Sequence, residues 1–310
     1  MARLEDVVRS GIARFAPLRN LARGPVVQRA LLAYRGARVV KERTRFFGRE
    51  LAGRRGPVSY RLSETDATVL VRHDVERLTE HIGPGTGDPY VLVELFRRRH
   101  YEPPPGVTRL IDGRRPLRVL DLGANVGFFG LFVLARYSDA EVTAVEPDPG
   151  SAAMLRRCID LNGLGRRWRL VEGCAGTEEG QVSFMADQFA NSHVVAGDAP
   201  GAIKVGMVDF YELARGFDFI KIDIQGGEWD LLRDPRLSSL DAPALVLEWH
   251  AASSREEDPL EAVTARLSEA GYDILRVDPA PTPQTGVVWA GNGPPPAECL
   301  SRTGTAESSG

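Results

Sequence analysis

The chain has 310 residues, 43% of them hydrophobic and 26% charged, and a formal net charge of −3. This is the composition of a soluble globular protein with room for one large domain or two modest ones. No run approaches the roughly 18 apolar residues of a membrane span, charges interrupt the opening MARLEDVVRSGIARFAPLRN and argue against a secretory signal, and Cys158, Cys174 and Cys299, lacking CxxC or Cys/His spacing, argue against a disulfide framework or structural zinc.

Charge is unevenly spread. Residues 1–55 carry 14 Arg/Lys against 4 Asp/Glu, and the remainder carries 25 against 38. A basic arm can touch nucleic acid or an anionic membrane, but it serves equally to neutralise an acidic body or a partner subunit. The expected compartment is a reducing cytoplasm.

Apolar residues recur at helical spacing over residues 4–15 and 26–45, for example Val27, Leu31, Leu32 and Val39, and predict two helices. Residues 58–62 and 67–71 flank the polar turn Ser-Glu-Thr-Asp and read as a hairpin. A loop at 84–89 precedes a helix at 90–101, and the triple proline of 103–106 reads as a linker. From Leu117 the pattern changes to short apolar runs alternating with helices. Strands are expected at 117–122, 141–146, 169–172, 217–223 and 244–248, with an extra one at 181–185, and helices at 127–137, 151–161 and 260–270. Such alternation implies a mostly parallel sheet covered on both faces. Two last strands, 272–277 and 287–290, are joined too tightly for a crossover and should pair antiparallel. The expected organisation is an N-terminal helical and hairpin extension (1–105), an α/β domain (106–292) and a Gly/Ser/Pro-rich disordered tail from Gly293.

The densest chemical signal is Val119-Leu-Asp-Leu-Gly-Ala-Asn-Val-Gly127, a strand running into a glycine-rich turn and a helix. In open α/β sheets ligands sit beyond the carboxyl ends of the strands, where glycines allow close approach and the helix start offers free N–H groups. The dinucleotide pattern G-x-G-x-x-G fails here, because position 125 is Asn and position 128 is Phe. Asp121 would repel a pyrophosphate but suits a ligand with a cationic amino group, as S-adenosylmethionine has. Glu146, 23 residues beyond Gly123 at the end of the second strand, is placed to accept two ribose hydroxyls.

These segments, with Ala144-Val-Glu-Pro-Asp148 and Phe219-Ile-Lys-Ile-Asp-Ile-Gln-Gly-Gly-Glu228, resemble the FkbM-type family of class I methyltransferases over roughly residues 92–290. The resemblance implies a Rossmann-like fold with a seven-stranded sheet and transfer of a methyl group from S-adenosylmethionine to a hydroxyl on a sugar, polyketide or other secondary metabolite. By position it assigns Asp121, Gly123, Asn125 and Gly127 to the methionine end, Glu146 to the ribose, and Gly173, Cys174 and Ala175 to the adenine. Gln225 departs from the family, which usually has Glu there, and this puts in doubt a base or metal role at that position.

Methylation of an alcohol needs alignment and removal of a proton. Asp223 closes the fourth strand. Glu248 and His250 close the fifth and point the same way. We take His250 as the general base, with Asp223 orienting it or the acceptor; helix capping by Asp223 and a merely structural His250 are the plainer readings. Ser192 and His193, in a loop with Asn191, and Glu248 are candidate acceptor contacts. No resident metal is expected, the alternative being a divalent ion at Asp223, Glu248 and His250. Lys221 points opposite to Ile220 and Ile222 and is expected to pair with an acid at the sheet edge. Trp229 and Trp249 wall a pocket or pack in the core.

Three rivals stay open: a nicotinamide oxidoreductase, against which the missing G-x-G-x-x-G counts; a nucleic-acid methyltransferase, for which no D/N-P-P-Y/F motif is found; and a non-catalytic binding protein. N-methylation of a small molecule remains an alternative chemistry. The expected partner is a small-molecule acceptor, not nucleic acid, and the N-terminal extension is read as a lid or a homodimer surface.

Overall fold

The computed structural model describes residues 25–73, 87–186, 192–195, 197, 199–279 and 284–293. The expected helix at 4–15, Asn191, Cys299 and the tail beyond Gly293 lie outside the described residues. The chain divides into two compact units, Met1–Arg99 and His100–Gly310.

The first unit holds α1 (Pro25–Ala37), α2 (Arg43–Leu51), the hairpin β1 (Pro57–Arg61) and β2 (Thr68–Arg72), and α3 (Asp88–Phe96). The single helix expected over 26–45 is therefore two. Between them the backbone leaves the helix to pair with the hairpin: Val40 bridges Leu62, Lys41 N donates to Arg61 O and Ser63 N to Val39 O. The β-branched pair Val39-Val40 suits that extended stretch. α3 starts and ends earlier than expected, stopping before Arg99, which sits in the left-handed region at φ 55°. Inside this unit Tyr60 Oη lies 2.9 Å from His73 Nε2, and His73 Nδ1 lies 2.7 Å from Glu50 Oε2, all three buried.

The second unit's first helix is α4 (Pro105–Ile111), so the proline run ends inside a helix: Pro105 occupies its first turn, where its missing N–H is not needed. Then follow β3 (Arg118–Leu122), α5 (Phe128–Arg136), β4 (Glu141–Glu146), α6 (Pro149–Leu161), β5 (Trp168–Glu172), β6 (Cys174–Gly176), β7 (Gly180–Met185), β8 (His193–Val195), β9 (Ile203–Asp209), α7 (Phe210–Leu213), β10 (Phe219–Ile222), α8 (Glu228–Arg233), β11 (Ala244–His250), α9 (Pro259–Glu269), β12 (Asp273–Pro279) and β13 (Thr285–Gly291). Seven strands form one sheet in the order β12-β13-β11-β10-β3-β4-β5, with β13 antiparallel to both its neighbours and the other pairs parallel. This is the Rossmann-like α/β architecture expected from the sequence, down to the antiparallel last strand.

A second sheet, β6-β9-β7-β8, is inserted between β5 and β10. Only β7 was legible there. β9 pairs with β7 over Ile203–Met207 and with β6 beyond it; its apolar residues Ile203, Val205 and Met207 alternate, but none of its residues is buried.

The main sheet separates two environments. Leu120, Ile222, Leu247, Trp249 and Val288 pack on one face with Phe210 of α7, Trp229 and Leu232 of α8 and Leu267 of α9. In-register residues Asp121, Lys221 and Val246 lie on the other face, where the rings of Tyr101, Phe129, Phe219 and Trp289 contact one another in series. Two charged groups thus lie side by side in the sheet's centre. Lys221 finds its acid on the adjacent central strand, not at the sheet edge.

Candidate functional site

The carboxyl ends of β3, β4, β10 and β11 converge on the glycine-rich turn. After Leu122 the backbone N–H groups of Gly123 and Ala124 both donate to Val145 O, at 3.0 and 3.1 Å, which docks the turn on β4. Gly123 is left-handed (φ 73°), and a Cβ there would lie 1.8 Å from the carbonyl oxygen of Asp223. The turn and the end of β10 therefore touch backbone to backbone. Gly127 (φ 88°) precedes α5 without a side-chain cap, and a Cβ on it would strike Leu155 and Trp168. The first N–H groups of α5 have no partner within the helix.

Glu146 is tied to this turn. Its Oε2 accepts from Asn125 N at 2.6 Å and its Oε1 from Asp148 N at 2.8 Å. Burial pushes its pKa up to about 7 against those two hydrogen bonds, and the neighbouring Asp148 and Asp121 add to the rise. Ser151 Oγ donates to Asn125 Oδ1, and Ser192 Oγ donates to Asp148 Oδ2, both at 3.1 Å. Gly173 N donates to Glu146 O at 3.2 Å. Cys174 and Ala175 lie on β6, and burial with the nearby Glu146 carboxylate pushes the Cys174 thiol up to about 12. Asn125, Glu146, Gly173 and Ser192 are thus joined through one local network.

Asp121 is fully buried, and Lys221 Nζ lies 3.2 Å from its Oδ1. The same ammonium lies 3.5 Å from Asp223 Oδ2 and donates to the carbonyls of Leu122 and Gly123 at 3.3 Å. Burial pushes the Asp121 carboxyl above its ordinary value, with Lys221 as the main opposing influence. Burial also acts against the Lys221 charge, but Asp121 and Asp223 outweigh it and hold the proton. Of the two acids, Asp223 is the one with access to solvent, its side chain 23% exposed.

Beside Asp223 runs a hydrogen-bonded row. Gln225 Nε2 lies 3.2 Å from Asp223 Oδ1 and 3.0 Å from His250 Nε2. On its other side His250 Nδ1 lies 3.0 Å from Glu228 Oε1, which also accepts from His250 N at 2.9 Å. Glu228 is fully buried, and its Oε2 accepts from Gly226 N at 2.7 Å. Burial opposes a charge on His250, but Glu228, then Asp223 and Glu248, reverse that and raise its pKa to about 9. Trp229 Nε1 donates to His250 O at 2.9 Å, so the indole fixes the strand end from within the core, and Trp249 is likewise a core residue.

Glu248 Oε2 accepts from Tyr101 Oη at 2.7 Å. His193, expected in a loop, lies exposed on β8, the edge strand of the second sheet. Asp223, Glu248 and His250 do not form a metal-ligand set, and among the described residues no group of three His, Cys, Asp or Glu could hold an ion. No helix of the described residues is long and apolar enough to cross a membrane.

Sequence reasoning missed Glu228 and Tyr101 as site residues. Glu228 stands in the quoted motif, but an acid opening a helix reads as a favourable charge at its N-terminus. Only the packing of α8 against β11 brings it to His250. Tyr101 meets Glu248 across 147 residues of sequence, which no local pattern reveals.

The methyltransferase FkbM domain model matches residues 121–274, a narrower span than the motifs suggested. Methyltransferase sdnD of Sordaria araneosa is 22% identical over 197 residues, which are 51% of this chain and 74% of that protein. Among solved structures, precorrin-6y C5,15-methyltransferase from Geobacter metallireducens GS-15 overlaps with a TM-score of 0.37 at 13% identity, over 60% of this chain and 85% of that one. P. horikoshii TYW2 in complex with MeSAdo overlaps with a TM-score of 0.39 at 18% identity, over 77% and 72%. The motifs, the matched domain and the fold agree, and the chain belongs to the FkbM family of S-adenosylmethionine-dependent methyltransferases.

Proposed function

We propose that the protein binds S-adenosylmethionine at the carboxyl ends of β3, β4 and β10 and methylates a hydroxyl on a small metabolite, such as a sugar or polyketide. The observation that carries this reading is the row Asp223–Gln225–His250–Glu228, which begins at the backbone contact with Gly123 and ends on a buried carboxylate.

The chain fits such a cofactor. The start of α5, uncapped by any side chain, suits the carboxylate of an amino-acid group. Asp223, partly exposed and only partly neutralised by Lys221, suits the ammonium. Asp121 then acts through Lys221, not by direct contact. Glu146, held by two backbone N–H groups, keeps acceptor capacity for ribose hydroxyls, and Gly173, Cys174 and Ala175 border the adenine side. When bound, the sulfonium supplies an already activated methyl group.

The remaining work falls to the protein: align the acceptor and take its proton. His250 is the base, and Glu228, accepting from Nδ1–H, fixes the ring and leaves Nε2 for the acceptor. The acceptor's O–H proton moves to Nε2 as the new C–O bond forms. Ser192, His193 and Glu248 are the proposed acceptor contacts. The buried thiols of Cys158 and Cys174, free of any disulfide, suit a reducing, cytoplasmic setting.

The test is transfer of isotope-labelled methyl from S-adenosylmethionine to a panel of hydroxylated and amino-bearing small molecules. Label on oxygen, reduced by about 10²–10⁴-fold in His250→Gln, supports the reading. Label on nitrogen moves the protein to N-methylation, and binding without transfer to any acceptor would remove the catalytic proposal.

A further inference from the structure

Gln225 holds a backbone conformation that costs it something: φ is 53°, in the left-handed region that glycine adopts freely and glutamine does not. What the position gains is its side chain. One nitrogen, Nε2, reaches both Asp223 Oδ1 (3.2 Å) and His250 Nε2 (3.0 Å). An amide nitrogen carries two hydrogens and accepts nothing. An ionised carboxylate only accepts, so Asp223 turns the nitrogen of Gln225 inward; the reversed amide would set its oxygen against that carboxylate. The second hydrogen then points at His250 Nε2 and requires a lone pair there. On the far side Glu228 requires a hydrogen on Nδ1. The two contacts specify one form of the ring: neutral, protonated on Nδ1, with its lone pair on Nε2.

We propose that Gln225 is a positioning residue for His250, its amide oriented by Asp223 so that it opposes a proton on Nε2 and directs that lone pair to the acceptor hydroxyl. This rests on the reading of His250 as the base. The charged groups acting on the imidazole are Glu228 from α8, Asp223 after β10 and Glu248 on β11, all acids that favour the imidazolium. A protonated Nε2 would face the N–H of Gln225, donor against donor. The amide therefore works against the three acids and toward the form a base needs. An entering hydroxyl takes the place of the amide hydrogen at Nε2, and the amide keeps its bond to Asp223. In the transfer step the hydroxyl's proton goes to Nε2, the methyl takes its place on oxygen, and the donor leaves as the neutral thioether.

The experiment is a pH titration of the ring nitrogens of His250 in the full chain, labelled with ¹⁵N-histidine. The protein has five histidines, and His250 is assigned by loss of its signals in His250→Gln. The wild type is expected to show the Nδ1–H tautomer on the alkaline side of its titration. Gln225→Gly suits the left-handed backbone and should fold. It is expected to move the His250 midpoint upward, and Gln225→Glu further upward, whereas Glu228→Gln moves it downward. A side chain that only supports the loop would leave the midpoint in place. An unchanged or lowered midpoint in Gln225→Gly, or an Nε2–H tautomer in the wild type, overturns the proposal. The titration needs neither cofactor nor acceptor, so it stands apart from the base assignment. Full methyl transfer by His250→Gln would remove the base while leaving the titration result intact.

Discussion

The ammonium of Lys221 lies 3.2 Å from Oδ1 of Asp121, and the two side chains are 4% and 0% exposed. Without Lys221 the Asp121 carboxylate would be a buried, uncompensated charge, whereas without Asp121 the ammonium still has Asp223, 3.5 Å away. Lys221→Met should cost about 3–5 kcal/mol, and Asp121→Asn less, because Asp223 still faces the ammonium. The double replacement Asp121→Leu/Lys221→Met should cost less than the two losses combined, because no orphaned charge remains. Urea unfolding of the four proteins checks this. Additive losses would mean that the two groups act independently.

Asp223 carries the charge left over beside that pair. Asp223→Asn should weaken S-adenosylmethionine binding about 10–100-fold, the worth of one charge-assisted hydrogen bond, with little change in the unfolding midpoint. Glu146 adds a pH dependence. With its pKa near 7, its carboxylate form is favoured only as pH rises past that point, so affinity for a ribose-bearing ligand should climb between pH 6 and 8. Calorimetry of the wild type and Glu146→Ala across that range reads it, and a flat wild-type profile would count against the ribose role.

Glu228, with Asp223 and Glu248, outweighs burial and raises the pKa of His250 from 6.5 to about 9. As a base it works only when deprotonated, so kcat should rise with pH toward about 9. In Glu228→Gln the rising limb should move to lower pH, and the rate at high pH should fall as the ring loses its orientation. Stability moves the opposite way. The folded state holds the proton more tightly than the unfolded chain, so this contribution is complete below about 6.5 and is lost as pH rises through 9. Thermal unfolding of wild type and His250→Gln over pH 6–10 should show the difference shrinking with pH.

The glycine turn gives a steric prediction. In Gly123→Ala the new Cβ would lie 1.8 Å from the Asp223 carbonyl on a left-handed backbone, so either the turn or the end of β10 must move. A loss of about 3 kcal/mol or more is expected, with loss of cofactor binding. At Gly180 nothing lies within 4 Å of an added Cβ, and Gly180→Ala should be neutral or stabilising by up to about 1 kcal/mol. Equal effects in the two variants would mean that the close approach does not matter.

The parts of this protein that could be read from sequence are those whose signals are local. The buried runs of β3, β4 and β10 and the turn from Asp121 to Gly127 carry their pattern within a few residues, and the architecture followed. β9 went unread although Ile203, Val205 and Met207 alternate, because Lys204 and Gly206 between them and the absence of any buried residue leave it without the apolar run that marks the central strands. Helix breaks were missed where a tertiary contact, such as Val40 with Leu62, overrode helical spacing. At the site, residue types were legible but pairings were not. Asp121 reads as a ligand contact until Lys221, one hundred residues later, is placed beside it by strand register. Glu228 acquires its position by His250 only through the packing of α8 on β11.

The most direct test is calorimetric titration of the full chain with S-adenosylmethionine and, separately, with NADH. Saturable, micromolar binding of S-adenosylmethionine that weakens in Asp223→Asn, with no heat from NADH, is the result expected. No binding of S-adenosylmethionine, or a preference for NADH, would contradict the account at its centre.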